Sequence, residues 1–420
     1  MSRISKIKKV LEERKVNTYR IIETEVNSFQ QFYDLQKLET ARKVSTLEEQ
    51  VTIYLESNLD GKKVIGEASF VVSHDLSKNE LVKLIDEALY QASFIKNDYY
   101  ELVKGDKKKA MAYKPLEEKP FAILTKIAKI FFSEATDVVR FNALELFFDE
   151  KIVHLVNSNG VDYKKKIYQI SCEAIPSFYS STFKTELYRM FKYGELNYDK
   201  IKEDAKKAIN ECLYRGNAVK LKDVSKCNLI LHDEQLLELL WEVLSTVDYA
   251  SVYSHSNIKS VGENITTNKI NVSLDANTKF DYFDNDGVRL AKKQIIKDGV
   301  VNSYFGTNRY AYYLNLEPTG DLNRVVLGKG KKSVDSLKKD KYIEIYDLSG
   351  IQVDAYQDYI GGEVRLALYY DGKDIIPISG FAFSASLNEA LNGLELSKEV
   401  TNINYYSGPK FGLFKDVTFN

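Results

Sequence analysis

Apolar and polar residues alternate through much of residues 16–72, as in Val51-Thr52-Ile53-Tyr54-Leu55. The pattern turns at Asp60-Gly61 and resumes from Val64 to Val72. Such a period of two predicts strands with one buried face. The period then changes. In LSKNELVKLIDEALYQASF, Leu81, Leu84, Ile85, Ala88, Leu89 and Ala92 share one face of a 3.6-residue helix. Ser77 and Glu80 have the spacing at which each side chain satisfies an amide of the first turn.

A lysine-rich stretch, KGDKKKAMAYKPLEEKP (104–120), carries two of the six prolines and reads as a linker or long surface loop. A helix is predicted over 121–135. Strands come next, in which Leu144, Leu146 and Phe148 alternate and Ile152, His154 and Val156 continue the pattern. Asn159-Gly160 predicts a hairpin, because both central residues of a type I′ turn need positive φ; the return strand spans 166–174. Ile201, Ala205, Ala208, Ile209, Cys212 and Leu213 mark another helix, stopped at Gly216.

The stretch LILHDEQLLELLWEVLSTVDY (229–249) joins a short strand to a helix with Leu236, Leu237, Leu240, Val243 and Leu244 on its apolar face. The single tryptophan, Trp241, lies within it and is read as packing. Beyond this helix the chain reads mostly as strand to residue 420. Asp286-Gly287, Asp298-Gly299 and Asp371-Gly372 separate the runs VRLAKKQII, VVNSYF, EVRLALYY and DIIPIS. The fold class expected is α+β: an N-terminal α/β region with a mixed or antiparallel sheet, then a C-terminal domain dominated by a large antiparallel sheet or partial barrel. The divisions are 1–103, a linker at 104–120, a middle segment at 121–225 packed with the first, and 226–420.

A length of 420 residues suits about two or three domains. Lys+Arg 59 against Asp+Glu 60 gives a net charge of −1, so no global charge favours nucleic acid or an anionic membrane. The opening MSRISKIKKVLEERK lacks the apolar run of a secretory signal. The most apolar stretch, FAILTKIAKIFF (121–132), is interrupted by Lys126 and Lys129 and falls short of the roughly 20 residues a span needs. Cys172, Cys212 and Cys227 form no CxxC pair, which points to reduced thiols in the cytoplasm.

Candidate chemistry is sparse. There are four histidines, His74, His154, His232 and His255. His74 and His154 have no ligand-type neighbour at metal spacing and read as ordinary polar residues. His232 and His255 bracket the 233–245 helix, with Asp233, Glu234, Glu238 and Glu242 nearby, but a zinc peptidase helix needs two histidines on one face and a glutamate base. No G-x-S-x-G elbow is present, and no cysteine has an adjacent histidine. GKGKKS (328–333) lacks phosphate-loop spacing. The lysines at 329, 331, 332, 338, 339 and 341 lack arginine and aromatic interleaving, and nucleic acid is not expected.

Three blocks carry a resemblance. FDNDGVRLAKKQIIKDGVVNSYFGTNRYAYYLNLEPTGDLNR (283–324), GGEVRLALYYDGKDIIPISGFAFSASLNEAL (361–391) and VNSNGVDYKKK (156–166) resemble, in order and spacing, the blocks of the TldD/PmbA family. Asp321 stands where that family usually has asparagine, and Ser384–Asn388 match its Gly-Asn segment loosely. The resemblance implies a fold in which a catalytic branch, TldD, binds zinc through H-E-x-x-x-H and a C-terminal cysteine and hydrolyses peptides. A PmbA or TldE branch keeps the fold without the ligands. Glu238, Leu239 and Val243 fall at the zinc-helix positions, and no cysteine follows Cys227.

The chain thus resembles the non-catalytic branch, with no catalytic or metal residue of its own and zinc expected only in a partner. The implied partners are a TldD-like paralogue in a heterodimer, or a second copy in a homodimer, together with unstructured peptides such as leader peptides. No membrane is implied. An edge of the sheet in residues 283–380 is expected to take an extended peptide as an added strand. A regulator of DNA gyrase, the family's older description, fits the neutral charge poorly. By family position, Asn308, Arg309, Thr319, Gly320, Gly361 and Gly362 are candidates for a peptide-binding or partner surface.

Overall fold

The computed structural model describes residues 3–73, 76–107, 113 and 116–420. His74 and part of the predicted linker lie outside them. Long alternating strands dominate the N-terminal half. They are β1 (Thr18–Asp34), β2 (Lys37–Leu59), β3 (Lys62–Val72), β4 (Asn97–Asp98), β5 (Val139–Asn157), β6 (Asp162–Tyr179), β7 (Lys184–Glu186) and β8 (Arg189–Tyr193). They form one antiparallel sheet in the order β4-β3-β2-β1-β5-β6-β7, with β8 also on β6. The segments before and after residue 104 therefore share a single sheet.

Side-chain alternation sets what each face carries. Ile21, Phe29 and Tyr33 of β1 point to one face and meet helices there. Those helices are α1 (Arg3–Glu13), α2 (Lys78–Ser93), α3 (Pro120–Ser133) and α4 (Tyr198–Gly216). The helix start at Ser77 is as predicted: its side chain accepts from the Glu80 amide, and Glu80 accepts from the Ser77 amide at 2.8 Å. The helix α1 is an addition to the predicted elements. Its Ile4, Ile7, Val10 and Leu11 recur at helical spacing and are buried, but lysines between them disguise the stripe. On the opposite face, Ile22, Val153 and Leu155 join Val161 and Tyr163 around Phe283 from the C-terminal half.

The C-terminal half has two further sheets. One holds β9 (Val219–Lys220), β10 (Lys226–His232), β15 (Tyr342–Asp354), β16 (Tyr359–Tyr370), β17 (Ile375–Ser379), β18 (Phe381–Ser386), β19 (Glu395–Leu396) and β22 (Phe411–Phe419). Its order is β15-β10-β22-β18-β16, and β15 also pairs with β16, so five strands close into a barrel. The other runs β13 (Val300–Val301), β12 (Lys293–Lys297), β11 (Val272–Asp275), β14 (Arg324–Leu327), β21 (Tyr406–Pro409) and β20 (Val400–Ile403). Closure removes the long edge expected in residues 283–380, because each edge of β15 and β16 now has a partner. Among the described residues no helix is long and apolar enough to cross a membrane.

Of the three Asp-Gly turns, Asp298-Gly299 joins β12 to β13 with φ of +50° and +84°. Asp371-Gly372 lies between β16 and β17. Asp286-Gly287 instead sits in a compact loop closed by an isolated bridge between Phe283 and Arg289.

The helix after β10, α5 (Asp233–Ser245), lies between barrel and second sheet. Leu236, Leu239, Leu240, Val243 and Leu244 enter the shared core beside residues of both. Gln235 accepts from the His232 amide at 3.0 Å and caps the helix start. Burial of one helix face leaves the other toward the N-terminal half. Two shorter helices, α6 (Tyr249–Tyr253) and α7 (Asn308–Tyr313), come later in the chain.

Candidate functional site

The free face of α5 lines a cleft of about 580 Å³. One wall comes from β8 and α4, with Lys192, Lys200, Asp204 and Lys207. The second comes from α5, with Asp233, Glu234, Leu237 and Glu238. The third comes from Asn277, Thr278, Arg324 and residues 402–405 beside the outer strand β20. That third wall is braced from within: Arg324 donates to Asn277 O at 2.9 Å and also to the Asn402 side chain, and Asn277 donates to Asn404 Oδ1 at 2.7 Å.

Charge across the cleft is mixed. Tyr193 and Lys200 donate to Asp204 at 3.0 and 2.7 Å. Burial raises the Asp204 carboxyl against the pull of Lys200 and Tyr193. The Lys207 ammonium lies 3.8 Å from Glu211 and 3.9 Å from Glu234. Burial alone would lower its pKa, yet Glu234, Glu211, Asp233 and Asp204 outweigh that and hold it above the ordinary lysine value. Partial burial, then Glu234 and Glu242, push the Glu238 carboxyl up.

At the start of α5, His232 Nε2 lies 3.0 Å from the buried Glu344, and Lys338 donates to both Glu344 oxygens at 2.7 Å. The rings of Tyr346 and Phe411 flank the imidazole, each at 4.8 Å. Burial opposes ionisation of Glu344, but His232 and Lys338 win and hold its carboxyl down at about 2. His232 is therefore committed to a structural cluster, while His255 is exposed beyond the end of α6. His154 faces Asp162 at 2.7 Å across the β5–β6 pair.

The sequence register that sets Glu238, Leu239 and Val243 at zinc positions meets the helix unevenly. Glu238 faces the cleft, but Leu239 and Val243 are 1% and 2% exposed in the core, where no ligand could reach a cleft-bound ion. The segment Asp233-Glu234-Gln235-Leu236-Leu237-Glu238 has the same spacing as H-E-x-x-x-H, with carboxylates at both histidine positions, and its three acidic residues line the cleft. That spacing is readable in the sequence; Lys207, Arg189 and Glu211 opposite it come from distant elements and are not. Zinc in a peptidase takes imidazole and thiolate donors along with carboxylate. Here the donors are carboxylates with an ammonium among them, and they do not fit that ion. Among the described residues no group of three or more His, Cys, Asp or Glu is placed to hold a metal.

The six residues assigned by family position lie elsewhere, and none lines this cleft. Asn308 donates to Glu101 O at 2.7 Å, and Arg309 pairs with Glu67 at 3.1 Å, so both tie α7 to the chain's own N-terminal half. Thr319 accepts from the Gly306 amide at 2.9 Å. Gly320 has φ +76°, and an added Cβ would lie 2.6 Å from Leu290. At Gly361 a Cβ would collide with the Tyr359 hydroxyl, and at Gly362 it would lie 3.0 Å from the Phe383 ring. Beside Gly320, Asp284 accepts from the amides of Asp286, Val288 and Asp321. Burial and the neighbouring Asp286 push its carboxyl up to about 6 despite those amides.

A closed five-stranded barrel, a helix held between it and a second sheet, and a cleft facing a long antiparallel sheet make up the fold around this site. Residues 224–419 match the family described as the PmbA/TldA metallopeptidase C-terminal domain. Solved structures agree in fold over nearly the whole length. TldE from Thermococcus kodakarensis superimposes with a TM-score of 0.79 at 16% identity, covering 99% of each chain. A candidate modulator of DNA gyrase from Bacteroides thetaiotaomicron gives 0.79 at 16% identity, covering 100% of this chain and 99% of its own. Another, from Thermotoga maritima, gives 0.76 at 15%, covering 99% and 100%. No protein of curated function matches the sequence.

Proposed function

We propose that this chain is a non-catalytic subunit of a TldD-type zinc peptidase complex. It binds unstructured peptides in the α5 cleft and helps to enclose the space in which a catalytic paralogue trims them. One observation carries this reading: the cleft face of α5 presents Asp233, Glu234 and Glu238, with Lys207 among their carboxylates, in place of a zinc-binding imidazole pair. The outer strand β20 ends beside the same cleft and supplies an edge to which an extended peptide can add. No cofactor is assigned to the chain itself. The three free cysteines, two of them buried, favour the cytoplasm. Affinity isolation of the tagged chain from its native cell tests the pairing. A paralogue carrying H-E-x-x-x-H is expected in the eluate, and its consistent absence would contradict the heteromeric reading.

A second reading, a stand-alone homodimeric peptide-binding protein, has its own supporting observation. Residues 37–48 of β2 pair with β1 on one side and with no described strand on the other, and Leu38, Val44 and Leu47 there are about 40% exposed. An open edge of this kind invites a second strand. Sedimentation of the isolated chain as a monomer would remove this alternative.

A further inference from the structure

Adjoining the cleft, and sharing Lys207, Glu234 and Glu238 with it, is a smaller recess of about 190 Å³ completed by Arg189, Glu211 and Asp347. Glu211 is 1% exposed. Its Oε2 accepts from Arg189 Nε at 2.6 Å, but its Oε1 has no hydrogen-bond partner, and the Lys207 ammonium stops 3.8 Å from it. Arg189 reaches Asp347 through Nη1 at 3.4 Å, while its Nη2 is also buried without a partner. One acceptor and one donor, both on ionised groups and both shielded from solvent, are thus left over on residues that line one recess. Leaving such groups unmade is costly, so a pair of them at a recess marks a place where a ligand can complete the bonding.

The chemistry of that ligand is set by charge and count. The recess presents four carboxylates, Glu211, Glu234, Glu238 and Asp347, against two cations, Arg189 and Lys207. The excess is negative, which favours a cationic group and disfavours a peptide's carboxyl end. The ligand must also offer an acceptor to Arg189 close to its donor. A free peptide amino terminus has both: an ammonium for Glu211 Oε1, and the first carbonyl for Arg189 Nη2. We infer that the recess is a subsite for the free amino terminus of a peptide whose later residues lie in the α5 cleft. This rests on the reading of that cleft as peptide-binding and adds polarity to it: the amino end enters at Glu211, and the chain runs out past Glu234 and Glu238.

The test uses the full-length chain and a degenerate synthetic peptide library made twice, once with free and once with acetylated amino termini. Retention is read by equilibrium dialysis and mass spectrometry. Free-ended peptides are expected to be retained about tenfold more than capped ones, the scale of one charge-assisted hydrogen bond in a shielded site. Glu211→Gln should abolish that preference. Glu234→Gln, at a side chain 54% exposed and so tolerated by the fold, should weaken it. Equal retention of the two pools, a preference that survives both substitutions, or capped lysine-containing peptides held as tightly as free-ended ones would each overturn the inference and leave the cleft reading standing. Retention of neither pool would remove the peptide-binding cleft itself, and the subsite with it.

Discussion

Placing histidine at Leu239 or Val243 destabilises the fold by about 3–5 kcal/mol and creates no metal site, while Glu238→His changes stability by no more than about 0.5 kcal/mol. The two core side chains are essentially inaccessible and pack among Leu236, Leu240 and Leu244 between the barrel and the second sheet. An imidazole there loses the apolar burial of the original residue and carries two ring nitrogens into a place without partners. Glu238 lies on the opposite side of the helix, at the cleft, where an imidazole remains solvated. Urea unfolding of the three single variants measures the contrast. If Leu239→His and Glu238→His were equally tolerated, α5 would be rotated from the orientation described, and the account of which side chains face the cleft would be wrong.

The second large effect concerns the cluster that anchors the start of α5. Glu344→Ala lowers the unfolding free energy near neutral pH by about 3–4 kcal/mol, because the Lys338 ammonium then faces a buried site without its anion. The pH dependence has a definite sign. The folded carboxyl is held down at about 2, below its ordinary 4.5. Its contribution is therefore fully present above about 4.5 and is lost as pH falls toward 2. Denaturation midpoints of the parent and Glu344→Ala proteins, measured at a series of pH values, should converge through that window. Parallel curves down to the acid limit would show that Glu344 holds no such advantage in the folded protein.

Much of this architecture is legible in the sequence because local chemistry and tertiary structure agree. Ser77 with Glu80 fixes one helix start, and Asp60-Gly61 and Asp298-Gly299 supply positive φ at both turn residues, whereas at Asn159-Gly160 only Gly160 has it and the hairpin turns through a longer loop than the type I′ pair predicts. Where lysines separate the apolar positions, as in α1, the period is present but masked. Barrel closure is not legible, since it depends on β15 pairing with β16 as well as with β10, and composition carries no trace of that. The site is readable only in part. Periodicity places an apolar face on α5, but a shift of one position along a helix turns a side chain by roughly 100°, enough to exchange core for cleft. That is why the sequence register sets Leu239 and Val243 at ligand positions, and why the Asp233, Glu234 and Glu238 set becomes visible only once the buried face is known. Lys207, Arg189 and Glu211 are brought to it from α4 and β8, by contacts that sequence spacing does not encode.

Zinc content and peptidase activity, measured together on the purified chain and on the chain reconstituted with an H-E-x-x-x-H paralogue, address the central claim most directly. The chain alone should hold far less than one zinc per molecule and leave unfolded casein intact. The reconstituted complex should hold one zinc per paralogue and cleave. Stoichiometric zinc in the isolated chain, accompanied by hydrolysis that a chelator abolishes, would contradict the account.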